Sequence, residues 1–399
     1  MPARAAVDVA HAVASFASER LLRVAGTVLP GQDALTGDYR AGDGRWVRLH
    51  MNFAHHRDAA LRAVGLPENS AADDLRAAVL AHRAADVESA VVFAGGCASV
   101  LRSRDEWLAE PQADAVANAP LLGVVALGPS KRTWAAARAA GDAPLAGVRV
   151  LDMTRVIAGP VATRALAALG ATVVRVSAPE LPQVPQLWVD TGFGKVSVDA
   201  DLTTRPGADA VRRLAATADV VVQSYRPGAL TGRGLGAAEV AGVNPGVVWA
   251  DISAWGQTGP WASRRGFDSL VQMATGLACP EDGPTGAAPE PLPVQALDHA
   301  TGWLTAFAVV RALHRRGVDG GGWHVRASLA GTAQWLASLE GAPSPVVDPS
   351  GGRCAEMDSE FGTLTYVTPP GAVGDWSLRY AGPPTPPGTH PPVWPDPTG

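Results

Sequence analysis

Gly147-Val-Arg-Val-Leu-Asp-Met-Thr-Arg-Val-Ile-Ala-Gly-Pro160 is the stretch on which the fold turns. Its first half is a short apolar strand, and Gly159-Pro160 breaks it. From Val161 to Leu169 the apolar residues Val161, Ala165 and Leu169 fall on one helical face before Gly170 stops the helix. The alternation then continues. Thr172 to Ser177 reads as a second strand, Pro206 to Thr217 as a helix with proline in its first turn, Asp219 to Gln223 as a third strand and Val247 to Ser253 as a fourth. Short apolar strands alternating with helices predict an α/β fold, a Rossmann-like, doubly wound parallel sheet covered on both faces.

Upstream the texture changes. Tyr39-Arg-Ala-Gly-Asp-Gly-Arg-Trp-Val-Arg-Leu49 carries the Asp43-Gly44 hairpin signal and Ala-rich helical stretches follow it, so a smaller α+β domain is expected at 30–128. The expected organisation is an N-terminal helix at 1–29, this small domain, a linker at 129–146, the Rossmann-like domain at 147–340 and a Pro-rich extension at 341–399. With 47% hydrophobic and 18% charged residues the 399-residue chain can bury sizeable cores. A net charge of −5 without long single-sign blocks argues against nucleic acid or an anionic membrane as partner. Cys97, Cys279 and Cys354 are odd in number and far apart, which suggests neither a disulfide framework nor a metal site and fits a reducing cytoplasm. Val7 to Ala25 contains Asp8, Glu19, Arg20 and Arg23, too many charges for a signal peptide or a membrane span.

The motifs narrow the chemistry. No GxGxxG follows the first α/β strand, and Gly232-Arg-Gly-Leu-Gly236 has the wrong spacing, which weighs against a nicotinamide oxidoreductase. No P-loop, GxSxG or HExxH is present, and the adjacent His55-His56 pair reads as surface residues. The Val156 to Pro160 turn would point backbone N–H groups at the carboxyl edge of the sheet. Arg175, Arg226 and Arg264-Arg265 at strand ends and loops would pair with phosphates, and Tyr225 would stack on a purine or pack in the core. Asp298 precedes a helix whose Trp303, Phe307, Val310 and His314 recur at helical spacing. It is either an N-cap or a carboxylate nucleophile that the helix end keeps ionised.

These residues resemble the family III CoA transferases (the CaiB/BaiF family). The resemblance rests on Val150 to Pro160, Leu169 to Arg175, Gly194-Lys-Val-Ser-Val198, Tyr225-Arg-Pro-Gly228, Trp255-Gly-Gln-Thr-Gly-Pro260, Gly266-Phe-Asp268, and Asp298 with Thr301-Gly302. It implies CoA exchange between an acyl-CoA thioester and a carboxylic acid, with Asp298 forming the covalent aspartyl intermediate, no permanently bound cofactor or metal, and a homodimer. CoA contacts carried over by motif are Ile157, Ala158, the Ala200 to Thr203 stretch, Ser224, Tyr225, Arg226, and Arg265 to Asp268. The family's large domain opens its chain, whereas here the small-domain-like stretch comes first, a permuted order. Two alternatives within the same reading are an acyl-CoA racemase and a CoA-ester-binding protein without turnover. The racemase branch has Gly-His-Asp where this chain has Gly266-Phe267-Asp268. His299 beside Asp298 would point away from the opposite face.

Overall fold

The computed structural model describes residues 4–31, 33–131, 143–280, 286–339 and 353–396. Most of the expected linker and the start of the Pro-rich extension therefore lie outside the described residues.

The small unit forms an antiparallel sheet of β1 (Gly37–Arg40), β2 (Trp46–Leu49) and β3 (Ala98–Val100). Gly44 closes the β1–β2 hairpin at φ 79°, a left-handed conformation that glycine adopts without steric penalty. Helices, among them α1 (Ala54–Ala63), cover the sheet, and Val47, Leu49, Leu61, Leu75, Val79 and Val91 fill the space between.

The large unit is a seven-stranded sheet. Its strands are β4 (Gly123–Gly128), β5 (Arg149–Met153), β6 (Thr172–Ser177), β7 (Lys195–Asp199), β8 (Val220–Gln223), β9 (Val248–Ser253) and β10 (Gly322–Ser328). Their spatial order is β4-β10-β9-β8-β5-β6-β7, parallel throughout except for the antiparallel β4–β10 edge. This is the α/β architecture expected from the alternating pattern, with strand bounds within two residues of the apolar runs. Valines dominate the central strands because both faces are covered, so β-branched side chains pack above and below the pleat. The chain runs from β5 outward through β6 to β7, then returns to the other side of β5 for β8. That reversal opens a crevice at the carboxyl ends of β5 and β8.

The helices that matter for the crevice are α2 (Ala158–Ala168), α3 (Asp268–Thr275), α4 (Ala296–Asp319) and α5 (Leu329–Ala337). Beneath the start of α2 lies a buried ion pair. Lys195 Nζ stands 2.9 Å from Asp152 Oδ2 and donates to Thr163 Oγ1 and the Pro160 carbonyl at 2.7 and 2.9 Å. Burial drags Lys195 down to about 7 against the pull of Asp152. Burial disfavours the charged Asp152 as well, but Lys195, Arg175 and the two threonine hydroxyls outweigh it and hold the carboxylate ionised.

The N-terminal stretch does not form the expected single helix, and the described part of the Pro-rich extension lies against it. The N-terminal stretch is two short helices, Val9–Ser15 and Ser18–Leu21, followed by the strand Arg23–Val24. That strand pairs with Leu364–Val367, and Ala5–Ala6 pairs with Ala372–Val373. Leu22, Val24, Val189, Phe193, Leu364 and Tyr366 make a shared cluster, so the late segment finds in the N-terminal strands the core it lacks by itself. No helix among the described residues is long and apolar enough to cross a membrane.

Replacing Lys195 by Met leaves the Asp152 carboxylate buried without a cation. Urea unfolding should show a loss of about 3–5 kcal/mol.

Candidate active site

The cavity at the carboxyl edge of the sheet measures about 430 Å³. Met153, Arg155, Val156, Ala158 and Gly159 follow β5, Ser224 to Pro227 follow β8, and Ile252 to Ala254 end β9; all line it. Arg264 to Phe267, Asp298 and Leu329 complete that side, and Phe53, His55 and His56 at the start of α1 close it from the small unit.

The turn after β5 is strained in a specific way. Val156 has φ 71°, a conformation that is unfavourable for a β-branched residue. Strain of this kind persists only where surroundings over-determine it. Here Asp152 Oδ1 accepts from Thr154 N at 3.0 Å and from Thr154 Oγ1, which fixes the start of the turn, and Arg155 N donates to Ser224 Oγ at 3.3 Å, which ties it to the β8 loop. The outcome is that α2 begins at Ala158 with its N-terminus at the cavity.

Asp298 sits opposite that N-terminus. The capping alternative fails: α4 starts at Ala296 and its N-cap is Gln295, so Asp298 lies inside the first turn. The expectation that its own helix end keeps it ionised also fails. Burial, then the like charges of Asp268 and Glu19, raise Asp298 well above the usual carboxylate range, and the Ala158 backbone N–H opposes them. Asp298 reaches Ala158 because Gly302, one turn on and on the same face, lets the two helices nearly touch. A Cβ at Gly302 would stand 2.6 Å from the Ala158 carbonyl oxygen and 2.8 Å from Val161 Cγ1. Thr301 and Thr332 share a 2.6 Å hydroxyl contact that pins α4 to α5.

Asp268 plays another part than a ligand contact. It is fully buried at the start of α3 and does not line the cavity. Its Oδ2 accepts the Asp298 backbone N–H at 2.9 Å, its Oδ1 accepts from the Gln272 amide, and Leu297 N–H also favours its charge. Burial nevertheless pushes it up to about 6. It is a positioning residue, supplying from α3 the cap that α4 lacks.

The other expected contacts divide in two. Ala158, Ser224, Tyr225, Arg226 and Arg265 are brought together around the cavity with Asp298. Ile157 is buried behind the turn, and the Ala200 to Thr203 stretch lies outside the cavity. Arg175 is buried too, donating to the Trp188 carbonyl and lying 3.8 Å from the Trp188 ring centre, so it is a core cation paired through space with Asp152 rather than a phosphate ligand.

Sequence reasoning placed His55-His56 on the surface; His55 is exposed as expected, but His56 is 4% exposed, and both line the cavity. Their position depends on the packing of α1 against Phe267, a contact across some 210 residues that local pattern does not encode. His50 stacks on Phe267 at 3.7 Å between ring centres, and His56 meets the same ring edge-on at 5.9 Å. Burial pulls both imidazoles down to about 3, so they are neutral. Arg264 is held by Glu88 at 2.8 Å and by the Ala98 carbonyl, whereas Arg265, among the described residues, donates only to the Gly95 carbonyl. Among the described residues no cluster suited to a metal ion occurs.

A deep crevice at the strand reversal, a buried carboxylate facing a helix N-terminus and arginines along the wall suit an anionic ester and a carboxylate nucleophile. The family model described as CoA-transferase family III matches residues 145–350. The chain belongs to CoA-transferase family III. It is 39% identical over 190 residues to the "Probable fatty acyl-CoA transferase" of Mycobacterium tuberculosis, which takes in 44% of this chain and 48% of that one. An "Acyl-CoA transferase" of Gibberella moniliformis is 32% identical over 330 residues, covering 76% of this chain and 56% of its own. The "Succinate--glutarate CoA-transferase" of Agrobacterium fabrum is 34% identical over 204 residues, 47% of this chain and 51% of that one. A crystal structure of Rv3272 from Mycobacterium tuberculosis aligns with TM-score 0.46 and 36% identity over 49% of this chain and 57% of that one. The chain thus spans about half the length of the curated relatives it matches.

Gly302→Ala forces α2 and α4 apart at the point where they set Asp298 against Ala158. Denaturant unfolding should show a loss of about 1–3 kcal/mol, the usual range for overpacking.

Proposed function

We propose that this protein moves coenzyme A from an acyl-CoA thioester to a carboxylic acid, with Asp298 as the nucleophile. What supports the reading most is the placement of Asp298, buried on the cavity wall with Ala158 N–H facing it and, among the described residues, no other carboxylate lining the cavity. A carboxylate oxygen of Asp298 attacks the thioester carbonyl, the C–S bond breaks, and CoA leaves as thiolate, giving an acyl-aspartyl anhydride. The thiolate then attacks the aspartyl carbonyl and releases the donor acid. The acceptor carboxylate in turn attacks the aspartyl-CoA thioester, and the returning thiolate takes the acceptor's acyl group and restores Asp298. Splitting one exchange into these steps lets a single buried group serve both half-reactions. Arg226 and Arg265, without carboxylate partners among the described residues, are the groups proposed to meet the CoA phosphates. A homodimer and a cytoplasmic location belong to the same reading.

A racemase needs a second base on the far side of the reacting carbon. His299 is fully buried and holds Glu19 at 3.0 Å, and it does not line the cavity. His56 does line it but is pulled down to about 3, too weak a base for that role.

Calorimetric titration with CoA should give a dissociation constant below millimolar, corresponding to more than about 4 kcal/mol of binding free energy. Asp298→Asn should lower CoA exchange by a factor on the order of 10³ or more, and abolish hydroxylamine-sensitive acyl-enzyme. Full turnover in that variant would remove Asp298 from the mechanism.

The attacking form is the ionised one and its pKa is raised, so activity should fall as pH drops through a value above the ordinary carboxylate range. Asp268→Asn removes one of the like charges that raise it. The acid limb of kcat/KM should move to lower pH in that variant.

A further inference from the structure

Consecutive residues near the start of the chain hold both helices that frame Asp298. Ser18 acts on α2. Its hydroxyl donates to Asp190 Oδ2 at 2.9 Å and accepts from Arg164 Nη2 at 3.1 Å, and Arg164, on α2, reaches the same Asp190 oxygen at 2.9 Å. Glu19 acts on α4. Its Oε2 stands 3.0 Å from Nε2 of His299, 280 residues on, and both side chains are buried. Burial would push Glu19 up, but His299 outweighs it and holds Glu19 below the usual carboxylate range. An ionised carboxylate only accepts, so His299 donates from Nε2. Arg20 donates to the Pro293 carbonyl just ahead of the α4 N-cap, and the Gln186 amide donates to the Glu19 carbonyl.

Asp298 and His299 are neighbours on α4, so their side chains leave the axis about 100° apart. Holding His299 fixes the rotation of the first turn and, with it, the direction of Asp298. Thr301, tied to Thr332, leaves α4 on the other flank, while Gly302 lies against Ala158 on the face that carries Asp298. Phe16 stacks on His299 with ring centres 5.5 Å apart, a second N-terminal contact to the same residue. A four-residue helix has little stability of its own, and an apolar side chain would fill the Glu19 position at lower desolvation cost. What the carboxylate adds is direction and charge.

We propose that Glu19 is a positioning residue for the reaction, acting through His299 to aim Asp298 at the cavity and setting a negative charge behind it. The inference rests on the transferase reading, in which Asp298 attacks, and brings a residue of the N-terminal segment into that site. Behind burial and Asp268, Glu19 is a further cause of the raised proton affinity of Asp298. A more basic anion is the stronger nucleophile once ionised, the rule that thiolates follow. The charged groups facing Glu19 are His299 from α4, Arg164 from α2, Asp190 from the helix Pro185–Asp190 and its neighbour Arg20. Those facing Asp298 are Asp268 from α3 and Glu19.

The test follows the Asp298 carboxyl itself. Infrared difference spectra over an acid–base titration report its C=O band, identified by its loss in Asp298→Asn. Glu19→Gln keeps an acceptor for His299 but drops the charge, so the midpoint of that band should move to lower pH. Glu19→Asp keeps the charge, and its midpoint should stay nearer that of the parent. Glu19→Ala loses both charge and tether. Its midpoint should fall too, and exchange of labelled butyrate into butyryl-CoA should lose about tenfold or more in kcat, the scale of a small misplacement of a reacting group. Calorimetric affinity for CoA should stay within about twofold in the same variant, a loss confined to the transition state. An unchanged midpoint in both Glu19→Gln and Glu19→Ala overturns the inference. So does a loss of CoA affinity in step with the rate in Glu19→Ala, which would mean a collapsed cavity rather than one misplaced carboxylate. A parent that neither binds CoA nor exchanges any acid sinks the transferase reading, whereas the infrared midpoints still decide whether Glu19 acts on Asp298. Circular dichroism checks that each variant is folded; should Glu19→Ala unfold, the contrast between Glu19→Gln and Glu19→Asp decides the matter.

Discussion

The Asp152 carboxylate, held by Lys195, Thr154 and Thr163, is the contact on which the site depends. It stands at the end of β5, and its donors come from the following turn, from α2 and from β7. One buried anion thus ties together a strand, a turn, a helix and a strand two places away in the sheet. Hydrophobic packing of valine-rich strands is non-directional and would accept several turn geometries. The hydrogen bonds to Asp152 accept one, and that one places Val156 in the left-handed region and Ala158 N–H in front of Asp298. The desolvation cost of burying an ion pair here is offset by geometry that an apolar substitute would not specify.

A second carboxylate does similar work from the other side. Asp268 caps α4 at a distance, receiving the N–H groups of Leu297 and Asp298, and raises the pKa of the carboxylate beside it. Position and proton affinity of Asp298 are therefore set by the same group. The small unit is fastened to this assembly by Glu88, which burial would push up but which Arg102 and Arg264 hold at about 2. Arg264 comes from the loop before α3, so its pair with Glu88 crosses the boundary between the two units, whereas Arg102, just after β3, pairs with Glu88 within the small unit.

The sheet was legible because its signal is local. Thr172 to Ser177 carries Val173, Val174 and Val176 between Gly170 and the Ala178-Pro179 break, and it forms β6 with those bounds. Asp298 was legible from the motif around it, and the Ser224 to Arg226 loop from its place after a strand. What escaped depends on contacts far apart in the chain. Nothing near Asp268 announces that its carboxylate will bond a backbone 30 residues on. Arg175 looks like other strand-end arginines until Trp188 and Asp152 close over it. The late strand Leu364–Val367 is too short to be recognised without its partner Arg23–Val24, and that partner is at the opposite end of the chain.

The cluster of packed rings made by His50, Phe267, Phe53 and His56 has a bearing on how long a reactive intermediate would survive. An acid anhydride is as open to hydrolysis as to attack by thiolate or carboxylate, and an enzyme that lets water in becomes a thioesterase. A histidine at the Phe267 position would bring a titrating, hydrated ring to the cavity wall. A phenyl ring held between two neutral imidazoles brings no charge, and it cannot swing aside without breaking the His50 stack and the edge-on His56 contact. Fidelity to the acceptor acid would then come from a dry partition rather than from a faster second step.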